Sequence, residues 1–110
     1  MDILEKIKNI KFNTVDVDAH ELGEGCTLRV RELSGCEQLE FHNMLQVKGN
    51  TADVKALAYA LMCALVDENG NAQLKTQDES EKLLRALPGK LFQRLNKAIF
   101  DLNNGEHEKN

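Results

Sequence analysis

Residues 26–37, Cys-Thr-Leu-Arg-Val-Arg-Glu-Leu-Ser-Gly-Cys-Glu, change structural period partway along. In the first half Cys26, Leu28 and Val30 alternate with Thr27, Arg29 and Arg31. That two-residue period is the mark of a strand with one face turned to a core. The second half, Ser34-Gly35-Cys36-Glu37, has the S-x-x-E spacing of a capping box. In that box a serine oxygen accepts from a free backbone N–H and the glutamate reaches back to the N–H of the serine. The stretch therefore predicts a strand that runs directly into a helix.

Upstream, residues 11–18 repeat the strand signal. Phe12, Thr14 and Asp16 alternate with Asn13, Val15 and Val17. Ala19 to Gly25 holds two glycines and reads as the turn between strands, so 11–18 and 26–33 form an antiparallel pair. Further upstream Ile3, Leu4, Ile7 and Ile10 fall at helical spacing and add a short N-terminal helix that needs a surface to pack on.

Downstream, the capped helix is expected to run to about Val47, before Gly49. Its apolar residues form two arcs, Cys36, Leu39 and Val47 on one and Phe41, Met44 and Leu45 on the other. A surface helix needs one stripe, so the second arc meets either more core or a partner. Ala52 to Val66 is the most apolar helix, capped by Asn50 or Thr51, with Ala56, Ala60 and Ala64 allowing close approach of neighbours. Asp67 to Asn71 is a turn, and 72–75 a short extended piece. Thr76-Gln77-Asp78-Glu79 is a second capping box, opening a helix to about Leu87. Pro88 suits the start of a last helix carrying Leu91, Leu95, Ile99 and Leu102. The expected architecture is α+β: a strand pair followed by four helices. One domain spans 1–104 and a flexible tail spans 105–110.

Composition narrows the function. With 42% hydrophobic and 29% charged residues, the 110-residue chain is ordinary globular material for one core. A net charge of −4 argues against a general phosphate-neutralising role and so against nucleic acid. Lys90, Arg94 and Lys97, with Lys82 and Arg85 before them, line the polar side of the last helix, where a solvated face is the simpler account. No apolar run reaches the roughly 20 residues of a membrane span, and the first residues are no signal peptide. Cys26, Cys36 and Cys63 show no C-x-x-C spacing and read as reduced cytosolic thiols.

No constellation carries chemistry. Ser34 and Ser80 belong to helix starts, and His20, His42 and His107 have no pairing context. The glycines match no nucleotide fingerprint. Asp16, Asp18 and His20 would share a face only if the first strand continued. Residues 67–78 resemble an EF-hand loop, with Asp67, Asn69 and Asn71 at donor places and Asp78 last. Ala72, however, stands where that loop needs glycine, and Asp78 where it needs the longer glutamate. No metal, cofactor or catalytic residue is expected. A small regulatory binding module with this degenerate loop is the alternative reading.

The order of these features resembles a known family. Leu28-Arg29-Val30-Arg31-Glu32-Leu33-Ser34-Gly35 resembles the V-R-E-L-S-G stretch of tail assembly chaperones from long-tailed, lambda-like bacteriophages and prophages. Ala60 to Asn71 is similar to their buried helix followed by D-E-D-G-N, and Leu91 to Asn103 resembles their C-terminal helix. The likeness covers 11–104; the opening helix lies outside it. It implies a non-catalytic protein of the host cytoplasm, absent from the finished virion. Such a protein coats the helical tape measure protein and recruits tail tube protein, often alongside a longer frameshifted form. Self-association stays open. A chaperone of this kind needs exposed apolar helix faces. The candidates here are Ile3, Leu4 and Ile7 of the opening helix and Phe41, Met44 and Leu45 of the capped one.

Overall fold

The computed structural model describes residues 2–47, 49 and 52–104. The expected cap at Asn50 or Thr51, His107 and the tail 105–110 lie outside the described residues. In chain order the elements are α1 (Ile3–Lys8), β1 (Thr14–Asp18), a 3-10 turn (His20–Leu22), β2 (Thr27–Arg31), α2 (Gly35–Gln46), α3 (Ala52–Ala64), β3 (Leu65–Val66), α4 (Gln77–Ala86) and α5 (Gly89–Asn104). The α+β class, the antiparallel pair and the four helices after it match the sequence reading, as does the short N-terminal helix. Both strands are shorter than the expected 11–18 and 26–33.

The sheet differs in one respect. Its order is β1-β2-β3, three strands in place of two. Leu65 and Val66 were expected to extend the apolar helix. They leave it and pair antiparallel with Val30 and Arg29. Val66 also bridges to Ala72, and Gln73 N–H donates to the Leu65 carbonyl at 3.0 Å. Backbone pairing to β2 thus replaces the last half-turn of helix. Gly70, at φ +85°, makes the return between the two halves of this small hairpin.

Both capping boxes form. Glu37 N–H donates to Ser34 Oγ at 3.2 Å and Ser34 N–H to Glu37 Oε1 at 2.8 Å. Thr76 and Glu79 repeat the arrangement at α4. Pro88 sits just before α5, and its carbonyl accepts from Phe92 N–H.

The core lies between one sheet face, α3 and α5. Val17, Val30 and Leu33 meet Leu61, Ala64 and Leu65, and Leu91, Leu95, Ile99 and Leu102 close it. The α5 residues follow a helical stripe, which is why that helix seats along the sheet. α3 packs between α2 and α4, and Ala56, Ala58 and Ala60 are buried there, as small side chains at close contacts must be. Ser80, buried on α4, donates to the Ala58 carbonyl at 2.5 Å.

Polar bonds lock β2 to α2. The Arg31 guanidinium pairs with both Glu37 oxygens at 2.9 Å and lies 4.9 Å from the Phe12 ring centre. Asn103 of α5 accepts from Leu33 N–H at 2.8 Å and from the Gln38 amide at 3.2 Å. Burial pushes the Glu37 carboxyl up, but the Arg31 pair and the Ser34 N–H outweigh it, and the net shift is downward.

Two outcomes are expected. Leu95→Ala removes a fully buried side chain and lowers unfolding free energy in urea by about 2–5 kcal/mol. For Glu37 the folded-state pKa lies below its ordinary 4.5, so its contribution is fully present above 4.5 and is lost as pH falls from there through the lowered folded-state pKa. Glu37→Gln therefore costs roughly 1–3 kcal/mol near neutrality and less in acid. The variant's stability, followed by circular dichroism, falls less steeply below pH 4.5 than that of the parent.

Candidate functional site

α1 is held by a cap, not by packing. Asp2 accepts from Glu5 N–H at 2.9 Å, and no residue of the helix is buried. Ile3 is 71% exposed, and Leu4, Ile7 and Ile10 are also open. Six residues make too short a helix to be stable alone, and its apolar stripe is uncovered among the described residues.

α2 has no fully buried residue. The arc of Phe41, Met44 and Leu45 is divided: Phe41 and Met44 are half-buried, and Leu45 is exposed. The arc of Cys36, Leu39 and Val47 faces outward, with Leu39 69% exposed. Glu37, Gln38, Phe41 and Met44 are the half-covered positions of the helix, at the i, i+4, i+7 spacing of a docked face. The sequence suggested two apolar arcs; the side on which α2 docks is partly polar because Glu37 and Gln38 are tied to Arg31 and Asn103.

Phe41 lines a groove of about 120 Å³ between α2 and α5. Its floor includes Leu33, Ala60 and Ile99; Phe100 and Phe41 are its aromatic residues. Gln38, His42, Asn96, Asn103 and Asn104 supply the polar lining, and no Asp, Glu, Lys or Arg is among the lining residues. Phe100 is 59% exposed. It lies off the buried stripe of α5, and an aromatic outside an otherwise strict stripe was the available signal for it. The groove joins one residue singled out by the sequence, Phe41, with one that was not. Nothing brings α1 or Leu45 into its lining.

The polar clusters are turned to structural work. Asp67 Oδ1 accepts from Asn69 N–H at 2.8 Å and Asn71 N–H at 3.0 Å, closing the turn. Asp78 stands in the first turn of α4, 3.3 Å from Lys82. Strand β1 ends at Asp18, so His20 leaves the face shared by Asp16 and Asp18. Asp16 pairs with Arg29 at 2.7 Å, and the His20 ring meets Asp18 at 2.6 Å. Among the described residues, no group of three or more His, Cys, Asp or Glu is placed to hold a metal ion. Of the basic stripe, Arg94 donates to the Asp18 carbonyl and the Glu21 carboxylate, and Lys97 to Asp101. Arg94 thereby stitches α5 to the end of β1 and the turn after it, while the Lys97–Asp101 pair lies within α5.

The Cys63 thiol is buried, and burial pushes its pKa up to about 11. Burial likewise raises Tyr59 to about 12. Both shifts oppose the activated, low-pKa state of a nucleophile. Among the described residues no helix is long and apolar enough to cross a membrane.

No family model matches the sequence, and no curated protein matches it. Among solved structures, the chain is similar to the bacteriophage HK97 tail assembly chaperone. The TM-score is 0.64 and the identity 22%, over 92% of this chain and 93% of that one. What the two chains share at that identity is the fold, along nearly the whole length of each.

Proposed function

We propose that this chain is a non-catalytic tail assembly chaperone, which holds a helical segment of the tape measure protein and recruits tail tube subunits in the host cytoplasm. The observation that carries the reading is the uncharged groove between α2 and α5, with Phe41 and Phe100 at its sides. An amphipathic helix needs a groove of this kind for its apolar stripe. Aromatic anchors in such grooves supply most of the binding energy. The fold shared with the HK97 chaperone and the sequence resemblance support the same assignment independently of the groove. The open stripe of Ile3, Leu4 and Ile7 offers a second apolar contact to the same client.

The test uses the full chain and the tape measure protein of the phage or prophage that encodes it. Phe100→Asp changes an exposed side chain and leaves the fold intact by circular dichroism. It weakens client binding by more than about tenfold in calorimetry. Phe41→Ala on the opposite wall gives a loss of similar size. Unchanged affinity in both folded variants overturns the groove as the client site. Failure of the unaltered chain to bind the tape measure protein overturns the function itself.

A further inference from the structure

Strand β1 is an edge strand, paired only with β2 among the described residues. Two bonds at its ends show which way its backbone groups point. Asn13 C=O accepts from Glu32 N–H, and Ala19 N–H donates to Cys26 C=O. Alternation along an antiparallel ladder then turns Val15 and Val17 toward β2 and Thr14, Asp16 and Asp18 toward the open edge. The Asp18 carbonyl agrees with this phase, since it accepts from Arg94 Nε at 3.1 Å on that outer side. Arg94 seals that end of the edge and leaves the Thr14–Asp16 half.

Beside that half lies a groove of about 390 Å³ between β1 and α5. Val15, Val17, Ala98 and Leu102 form its apolar walls, and no lining residue comes from β2 or β3. Val15, a β-branched strand residue, is 40% exposed there. The carboxylates of Asp16 and Asp18 stand on the opposite face of the strand, about half exposed; each already meets a partner, Arg29 and His20, so a basic side chain there shares the carboxylate. Charges on an edge strand also serve simply to block stray pairing. Blocking alone does not call for an apolar groove along the same edge.

We propose that the β1 edge takes up an extended segment of a partner protein in which apolar and basic residues alternate. The added strand bonds to the outward backbone groups of Thr14 and Asp16. Its apolar side chains then fall over Val15, Val17 and Ala98, and its basic ones fall beside Asp16 and Asp18. A second copy of β1 is a poor occupant. Paired antiparallel about Asp16, it sets Asp16 against Asp16 and Thr14 against Asp18, and like charges directly opposite destabilise a sheet. The surface is separate from the α2–α5 groove and holds a strand, not a helix.

The probe is a short acetylated, amidated peptide of strictly alternating valine and lysine, titrated into the isotopically labelled full chain. The strand is taken to add antiparallel, with its lysine residues directly opposite Thr14 and Asp16, so that the lysine N–H groups face the edge. Amide shifts and slowed exchange at Thr14 and Asp16 are expected. N-methylation of the lysine amides abolishes binding, while N-methylation of the valine amides leaves it. Glutamate in place of lysine weakens it roughly tenfold. Ala98→Gln, at a half-exposed α5 position, fills the groove and also weakens binding while the circular dichroism spectrum is retained. Equal binding of the two N-methylated peptides overturns the proposal. So do shifts confined to α2 and α5 residues around Phe41, or self-association through β1 without peptide.

Discussion

Glu37 fixes the angle on which the rest of the molecule depends. One of its oxygens takes the Ser34 N–H, and both take the Arg31 guanidinium. The carboxylate thereby ties the last residue of β2 to the first turn of α2 across a three-residue junction, 32–34. Negative charge at a helix N-terminus is also favourable to the helix dipole. Asn103 reaches the same junction from α5 and holds Leu33 N–H and Gln38. With that joint set, α2 lies beside α5, and the groove between them has its width.

The cost of this arrangement is a helix docked through polar groups. α2 uses Glu37 and Gln38 as well as Phe41 and Met44 against the body, so Leu39, Leu45 and Val47 stay in solvent. Scattered exposed apolar residues are normal on any protein surface. Here Ile3, Leu4 and Ile7 on α1, Leu39 and Leu45 on α2 and Phe100 on α5 are exposed on helices, where a partner helix can meet them.

Much of the fold was legible because its signals are local. Each capping box needs only four consecutive residues, and both formed where Ser34-Glu37 and Thr76-Glu79 stand. The stripe of Leu91, Leu95, Ile99 and Leu102 needs only periodicity. β3 was not legible. Leu65 and Val66 continue the apolar run of α3, and only β2, more than thirty residues earlier in the sequence, makes them a strand. The candidate site divides in the same way. Phe41 was visible as an apolar residue left over on α2. Its groove was not, because Phe100 and Ala60 come from other helices and meet it only in space. His20 fails as a continuation of β1 because Ala19 and the 3-10 turn redirect the chain, a bend that alternation of residue types cannot show.

α5 explains how one small domain offers two different surfaces. Its buried stripe anchors it, and its two flanks line different grooves: Asn96, Phe100 and Asn103 toward α2, Arg94, Ala98 and Asp101 toward β1. At 3.6 residues per turn, positions 94 and 96 point about 160° apart. A single docked helix therefore cannot cover both flanks. The flank toward α2 is aromatic and uncharged, suited to an apolar helix. The flank toward β1 borders a free backbone edge with carboxylates behind it, suited to a strand. A rigid helix of 16 residues, seated by four leucine and isoleucine side chains, keeps the two surfaces at a fixed separation whatever occupies either one.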